Sequence, residues 1–336
     1  MSQMSGEFAA PRFLRNRHVQ TLGAALPLWA RNGIVTEALR IPLAEGGALR
    51  ASAWWQPGRD AVAAVLVHGV GGSSDSYYMV RAALALYRAG FHVVRLNLRG
   101  AGDSIPDAPL LYHAGLIEDP RAALEFVAAR PRVRGTALVG FSLGGNVSLK
   151  LAAAWRGAPP SHVRGVATLS APLDLVQSSR VLERWRTLPY RAYVLRKLVW
   201  QGVEFARLHP SRAKYDASRL PRLHTIRAYD EEVVAPMHGF SDAHDYYVNA
   251  SSGPGLADVE VPTLVIHAQD DPMVPGSIVE PWLRDASPAV RTAWSARGGH
   301  VGWFSGVGPG DWVNTWAMEK VVAFLHERAA ARGASR

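Results

Sequence analysis

Gly140-Phe141-Ser142-Leu143-Gly144 is the stretch of this chain whose residue types and spacing most directly suggest chemistry. It ends the apolar run 136–141 and opens the helix-forming segment 144–155, so it falls where a buried strand would turn into a helix. A serine on so tight a turn has its hydroxyl lifted above the sheet, and small residues two before and two after it let neighbouring backbone pass. Such a serine suits nucleophilic attack on an acyl carbon. The helix that follows would bring the Leu143 N–H and the positive end of its dipole to a developing oxyanion. A second donor is expected from the glycine loop His68-Gly69-Val70-Gly71-Gly72, with the Val70 N–H as the candidate and His68 bracing the loop. That loop does not read as a phosphate cradle, because no Lys-Ser/Thr pair follows it.

A serine nucleophile needs a base, and an imidazole base needs a carboxylate to orient it. Twelve histidines compete, so position must choose. In a strand–turn–helix setting of this kind the chain order is nucleophile, acid, histidine, with the last two on loops after the late strands. Asp270 and Asp271 directly follow the apolar run 261–268, and His300 follows the run 289–296 inside Gly298-Gly299-His300-Val301-Gly302. The arrangement Asp271-x-x-Val274-Pro275 favours Asp271 over its neighbour. The competing structural readings are a turn histidine at 300 and a helix cap at 270–271.

The elements that must position these groups can be read from hydrophobic patterning. Segments 34–43 and 49–56 have strand composition and flank Glu45-Gly46-Gly47, which predicts a hairpin. Residues 61–68 form a continuous apolar run ending in glycines, as a strand buried on both faces requires. Ser73, Ser74 or Asp75 would cap the helix after it, and Gly90 would end that helix. A strand at 91–97, a helix over 120–130, a strand at 136–141, a helix at 144–155 and a strand at 163–170 continue the βαβ alternation. From 172 to 257 the chain turns helical, arginine- and aromatic-rich, and reads as an inserted cap. A final helix is expected from 312 to about 326. The expected organisation is an N-terminal arm (1–32), an α/β core in two parts (33–171 and 258–328) with a mostly parallel sheet flanked by helices, the helical cap (172–257), and a flexible tail (329–336).

Composition narrows the function classes. The chain has 336 residues, 48% of them apolar and 19% charged, which suits a globular protein and disfavours disorder or a coiled-coil rod. With no cysteine, a disulfide scaffold, a Cys-ligated zinc site, an iron–sulfur cluster and a cysteine nucleophile are all excluded. The formal charge of +9 selects no partner: 33 of the 37 basic residues are Arg, they are dispersed, and no nucleic-acid-binding motif accompanies them. No apolar stretch reaches the roughly 20 residues of a bilayer span, and residues 1–18 lack the apolar segment of a secretory signal. The expectation is a cytoplasmic protein without a transmembrane anchor.

FLRNRHVQTL at 13–22, LVHGVGGSSDSYY, NLRGAGDS, LYHAG, GFSLGGN, HGFSDAHDYY at 238–247, IHAQDDPMVP and GGHVGWF together resemble the YheT-like α/β-hydrolases. The resemblance runs from Phe13 to the final helix. It implies a serine carboxylesterase, with a triad on Ser142, Asp271 and His300 and a small-molecule or lipid-like ester as substrate. Such chemistry asks for no cofactor and no metal.

Other marked segments have competing readings. His238, Asp242, His244 and Asp245 could be metal ligands, but helix caps and polar anchors are the better expectation. Asn97-Leu98-Arg99-Gly100 should end a strand and shape the floor of the site, while Tyr112-His113 has no evident catalytic role. Trp185, Tyr190, Tyr193, Trp200, Tyr246 and Tyr247 could line an acyl pocket. The functional expectation is ester cleavage through an acyl-enzyme by Ser142, His300 and Asp271, with Val70 and Leu143 as oxyanion donors. An acyltransferase with the same triad and a noncatalytic binding protein on the same fold are the alternatives.

Overall fold

The computed structural model describes residues 7–27, 33–306, 308 and 315–331. Eight strands form one sheet in the order β1-β2-β4-β3-β5-β6-β7-β8. They are β1 (Glu37–Pro42), β2 (Ala48–Trp54), β3 (Ala61–Val67), β4 (His92–Asn97), β5 (Val133–Phe141), β6 (Val163–Leu169), β7 (Thr263–Ala268) and β8 (Val290–Ser295). The hairpin β1–β2 is antiparallel and β2 runs antiparallel to β4, while every pairing from β4 to β8 is parallel.

The α-helices are α1 (Arg17–Ala24), α2 (Tyr77–Arg88), α3 (Glu118–Ala128), α4 (Leu143–Ala154), α5 (Leu175–Leu182), α6 (Leu188–Leu208), α7 (Ile226–Tyr229), α8 (Ala235–His238), α9 (Ala243–Ala250), α10 (Gly276–Arg284) and α11 (Trp316–Ala331). A π turn, Asp230–Val234, joins α7 to α8.

The parallel strands are apolar on both faces because each face is covered by helices. Along β3, Ala63, Val65 and Val67 pack into one core with α3, α4 and α10, and Ala64 and Leu66 pack into the other with α2 and α11. This strand-by-strand division defines an α/β sheet with two buried faces. Between β6 and β7 the chain contributes α5 to α9 and no strand. Buried Asn146 on α4 ties that segment to the core: its amide donates to Ala114 O and Ala250 O, both at 2.8 Å, and its carbonyl accepts from Ser252 N at 2.9 Å.

Several boundaries differ from the sequence expectation. The helix after the glycine loop starts at Tyr77 behind Ser76, with no side-chain cap bond, and Ser76 Oγ instead accepts from Ser73 N. Helix α3 begins at Glu118, so Pro120 sits in its first turn, where no N–H is required. The final helix runs Trp316–Ala331 and so extends into the expected tail; residues 312–314 and 332–336 lie outside the described residues. Residues 1–6 and 28–32 of the expected arm also lie outside them, and the part between carries α1.

Candidate active site

Ser142 sits between β5 and α4 with φ 52° and ψ −121°, a backbone region that costs about 1–3 kcal/mol for a residue with a Cβ. Its neighbours explain how the turn closes. A methyl group on Gly140 would overlap Gly144 O and Ser148 Oγ, and one on Gly144 would overlap the carbonyl oxygens of Val67 and His68. A Cβ on Gly69 would stand 3.1 Å from Ser142 Cβ, so the glycine loop lies directly against the serine. Ser142 N is held by Leu169 O at 2.8 Å. Three other non-glycine residues near the site have positive φ: Ser170, Val301 and Trp303.

His300 and Asp271 meet across the loops that follow β8 and β7. His300 Nδ1 lies 2.7 Å from Asp271 Oδ2, and both side chains are buried. Asp271 Oδ1 accepts from Met273 N at 2.8 Å and Val274 N at 2.9 Å, which fixes the carboxyl plane. Asp270 does different work. Its Oδ1 accepts from Gly299 N at 3.0 Å and steadies the turn before the histidine.

The glycine loop leaves one N–H available beside Ser142. Gly69 N donates to Tyr78 OH at 2.8 Å, Gly71 N to Tyr112 OH at 2.7 Å, and Gly72 N to Gly69 O at 3.0 Å. The N–H of Val70 makes no hydrogen bond among the described residues, and neither does that of Leu143 at the first turn of α4. His68 braces this loop. Its Nδ1 faces Gly69 O at 2.8 Å and its Nε2 accepts from Leu98 N at 3.2 Å, while complete burial pushes its pKa down to about 4. The neutral Nδ1–H tautomer satisfies both bonds. Asn97 holds the far end of the loop by accepting from Ser74 N at 2.6 Å. Arg99 anchors the same segment through the buried carboxyl of Asp119, to which its Nε donates at 2.7 Å.

Sequence reasoning assigned no task to α1, yet this helix clasps the histidine loop. His300 N donates to Thr21 Oγ1 at 2.9 Å, Phe304 N donates to Gln20 Oε1 at 2.7 Å, and Gln20 Nε2 donates to Leu14 O at 2.8 Å and Phe304 O at 3.0 Å. Gly299 has φ +61°, and a Cβ there would overlap Thr21 Oγ1 and Gln20. On its other side α1 reaches α6, where His18 Nδ1 lies 2.6 Å from Tyr190 OH.

Ser142, His300, Val70 and Thr21 line one cavity of about 520 Å³. Its apolar walls come from α1 (Leu22, Ala24), from α6 (Tyr190, Tyr193, Val194) and from Met273, with Lys197 and Asp75 as the charged groups. Of the six aromatics expected to line an acyl pocket, Tyr190 and Tyr193 line this cavity. Trp185 and Trp200 point to solvent with 78% and 57% of their surface exposed. Tyr246 borders a separate cavity of about 30 Å³ behind Val70 and Leu143, and Tyr247 donates to buried Asp230 at 2.6 Å. Asp242 caps α9 by accepting from Asp245 N at 2.7 Å, and His238 packs on His113 with ring centres 4.3 Å apart. No group of three candidate metal ligands comes together among the described residues. No described helix is long and apolar enough to cross a membrane.

An eight-stranded, mostly parallel sheet with a strained serine at a strand–helix turn and an acid and histidine after its last strands defines an esterase- or lipase-type hydrolase scaffold. The chain belongs to the alpha/beta hydrolase fold family, whose sequence model matches residues 64–304. It is 28% identical to the Escherichia coli (strain K12) protein named "Putative esterase YheT", over 97% of this chain and 96% of that one. It is also 26% identical to the monoacylglycerol lipase of Saccharomyces cerevisiae, over 80% of this chain and 60% of that protein. Among solved structures, the Pyrococcus furiosus esterase Pf2001 superposes with a TM-score of 0.58 at 15% identity, covering 90% of this chain and 95% of the other.

Proposed function

We propose that the protein cleaves carboxylic esters through an acyl-enzyme formed on Ser142. The observation that carries this reading is the 2.7 Å contact between His300 Nδ1 and Asp271 Oδ2 beside the cavity that Ser142 also lines. With Nδ1–H donating to Asp271, Nε2 keeps its lone pair and takes the Ser142 proton as Oγ attacks the ester carbon. The oxyanion is held by the Val70 and Leu143 N–H groups, donors that folding leaves unpaired. His300 then returns its proton to the departing alkoxide, and the alcohol leaves. Water, deprotonated by the same Nε2, attacks the acyl-serine and releases the acid.

The apolar walls and the size of the cavity suit the acyl or alkyl part of an ester rather than a polar polymer. In this reading residues 172–257 act as a cap over the core formed by 33–171 and 258–328, because α6 supplies one wall of the cavity. The test is hydrolysis of p-nitrophenyl esters of graded acyl length by wild type and Ser142→Ala. Turnover by wild type that Ser142→Ala abolishes supports the reading; equal turnover by both rejects it.

A further inference from the structure

The mouth of the cavity is bordered by an apolar surface that the catalytic reading does not use. Twelve large apolar side chains stand exposed among the described residues, and all except Val35 and Val248 fall at 13–26, at 77 or at 185–203. Exposed apolar residues scattered singly need no explanation, but a concentration around one opening does. On α6 the spacing separates two adjoining stripes. Tyr190, Tyr193, Val194 and Lys197 face the cavity, while Leu188, Ala192, Arg196 and Trp200, four residues apart, form an exposed stripe beside them. Across the opening, α1 lines the cavity with Thr21, Ala24 and Leu22, the last 54% exposed, and it carries exposed Val19.

The charges on this surface are predominantly positive, and the exposed Asp75 beside Tyr77 lies 4.0 Å from Arg95. Arg12, Arg15 and Arg17 on one side and Arg184, Arg186 and Arg196 on the other are exposed and make no ion pair among the described residues. The carboxylates nearest in sequence are engaged, Glu183 with Arg191 and Glu204 with Arg207. Aromatic and aliphatic side chains interleaved with arginines are the composition of a helix that lies in a lipid interface. A second copy of the chain fits less well, because an isologous contact would set this cationic face against itself. A docked protein would also cover the mouth of the cavity, whereas a lipid layer would leave its contents in reach of it.

We propose that this rim, formed by α1, Tyr77 and residues 184–203, docks the protein on lipid surfaces bearing anionic headgroups. Trp185, Leu188 and Trp200 enter the interface and the arginines meet the headgroups. That the docked layer also supplies the substrate rests on the esterase reading; the docking itself does not.

The experiment is flotation of the full chain with vesicles of phosphatidylcholine alone or mixed with phosphatidylglycerol, at low and high salt. It uses wild type, Trp185→Glu with Trp200→Glu, Arg184→Ser with Arg186→Ser and Arg196→Ser, and Ser142→Ala. Wild type and Ser142→Ala should float with the mixed vesicles, less at high salt and less with phosphatidylcholine alone. The triple arginine variant should partition about 100-fold more weakly, from roughly fivefold for each of its three cations at an anionic surface. The tryptophan variant should stay in solution while keeping wild-type turnover of a short water-soluble ester, which shows that it is folded. Wild type that never floats, or variants that float equally well, would overturn the docking. So would a dimer seen by light scattering that the tryptophan variant converts to monomers, which would assign the face to a second copy. Because Ser142→Ala is scored by flotation alone, failure of the esterase reading leaves the docking test intact.

Discussion

Replacing Asp271 by Asn separates the orienting acid from its neighbour with little change in shape. The structure dictates which way the new amide must turn. Met273 N and Val274 N, at 2.8 and 2.9 Å, both donate to Oδ1, so the amide oxygen stays there and the NH₂ group faces His300 Nδ1. A donor facing Nδ1 drives the ring proton to Nε2, where the imidazole can no longer accept the Ser142 proton. A tautomer error of this kind costs roughly 10⁴-fold in kcat, equivalent to about 5 kcal/mol of barrier. KM should hold, because Asp271 is 1% exposed and is not part of the cavity lining. Asp270→Asn keeps an oxygen for Gly299 N and should lose at most about 1 kcal/mol, roughly fivefold. The assay is steady-state hydrolysis of p-nitrophenyl butyrate, with circular dichroism to confirm folding. An Asp271→Asn enzyme within about tenfold of wild type, or an Asp270→Asn enzyme as impaired as Asp271→Asn, would refute the assignment.

Three other perturbations probe the frame around the site. Gln20→Ala removes three buried hydrogen bonds and should cost about 3 kcal/mol in urea unfolding while lowering kcat more than it raises KM, since the histidine loop loosens. Gly144→Ala should fail to fold or lose well over about 1 kcal/mol, because its methyl meets backbone carbonyls that side-chain motion cannot move aside; unfolding and soluble yield report it. Burial raises the Asp230 carboxyl from 3.8 to about 7, so between those values the folded protein holds a proton that the unfolded chain has released. Stability from this group is therefore greatest at low pH and is lost as pH rises toward 7. Asp230→Asn should gain up to about 4 kcal/mol over wild type at pH 8 relative to pH 4, as read from urea unfolding; an equal pH trend in both proteins contradicts this.

What could be read from the sequence was local. Residues 61–67 are apolar without interruption because both faces of β3 are covered, and the glycines around Ser142 are spaced by the contacts they must allow, so both patterns survive in the linear string. The meeting of His300 with Asp271 was legible through chain order, because a parallel sheet brings its late loops to one end. The α1 clasp was not. Thr21 and His300 are 279 residues apart, and nothing in the pattern of either segment encodes a hydrogen bond to the other. The motif segment 13–22 marked the place without giving the reason. Tyr78 and Tyr112 were missed as the groups that occupy the Gly69 and Gly71 N–H donors, since that task depends on three-dimensional approach alone. Trp200 misled in the opposite sense: aromatic content suggests a pocket, but helical phase decides which side of α6 faces it, and Trp185 lies in the turn before that helix.

Ester cleavage by this site requires Ser142 to be an activated nucleophile. Treating the protein with a fluorophosphonate probe and locating the adduct by mass spectrometry tests it most directly. One adduct is expected, on Ser142, absent from Ser142→Ala and strongly slowed in the Asp271→Asn and His300→Ala variants. Labelling of another residue, or an intact Ser142 under conditions in which wild type hydrolyses esters, would contradict it.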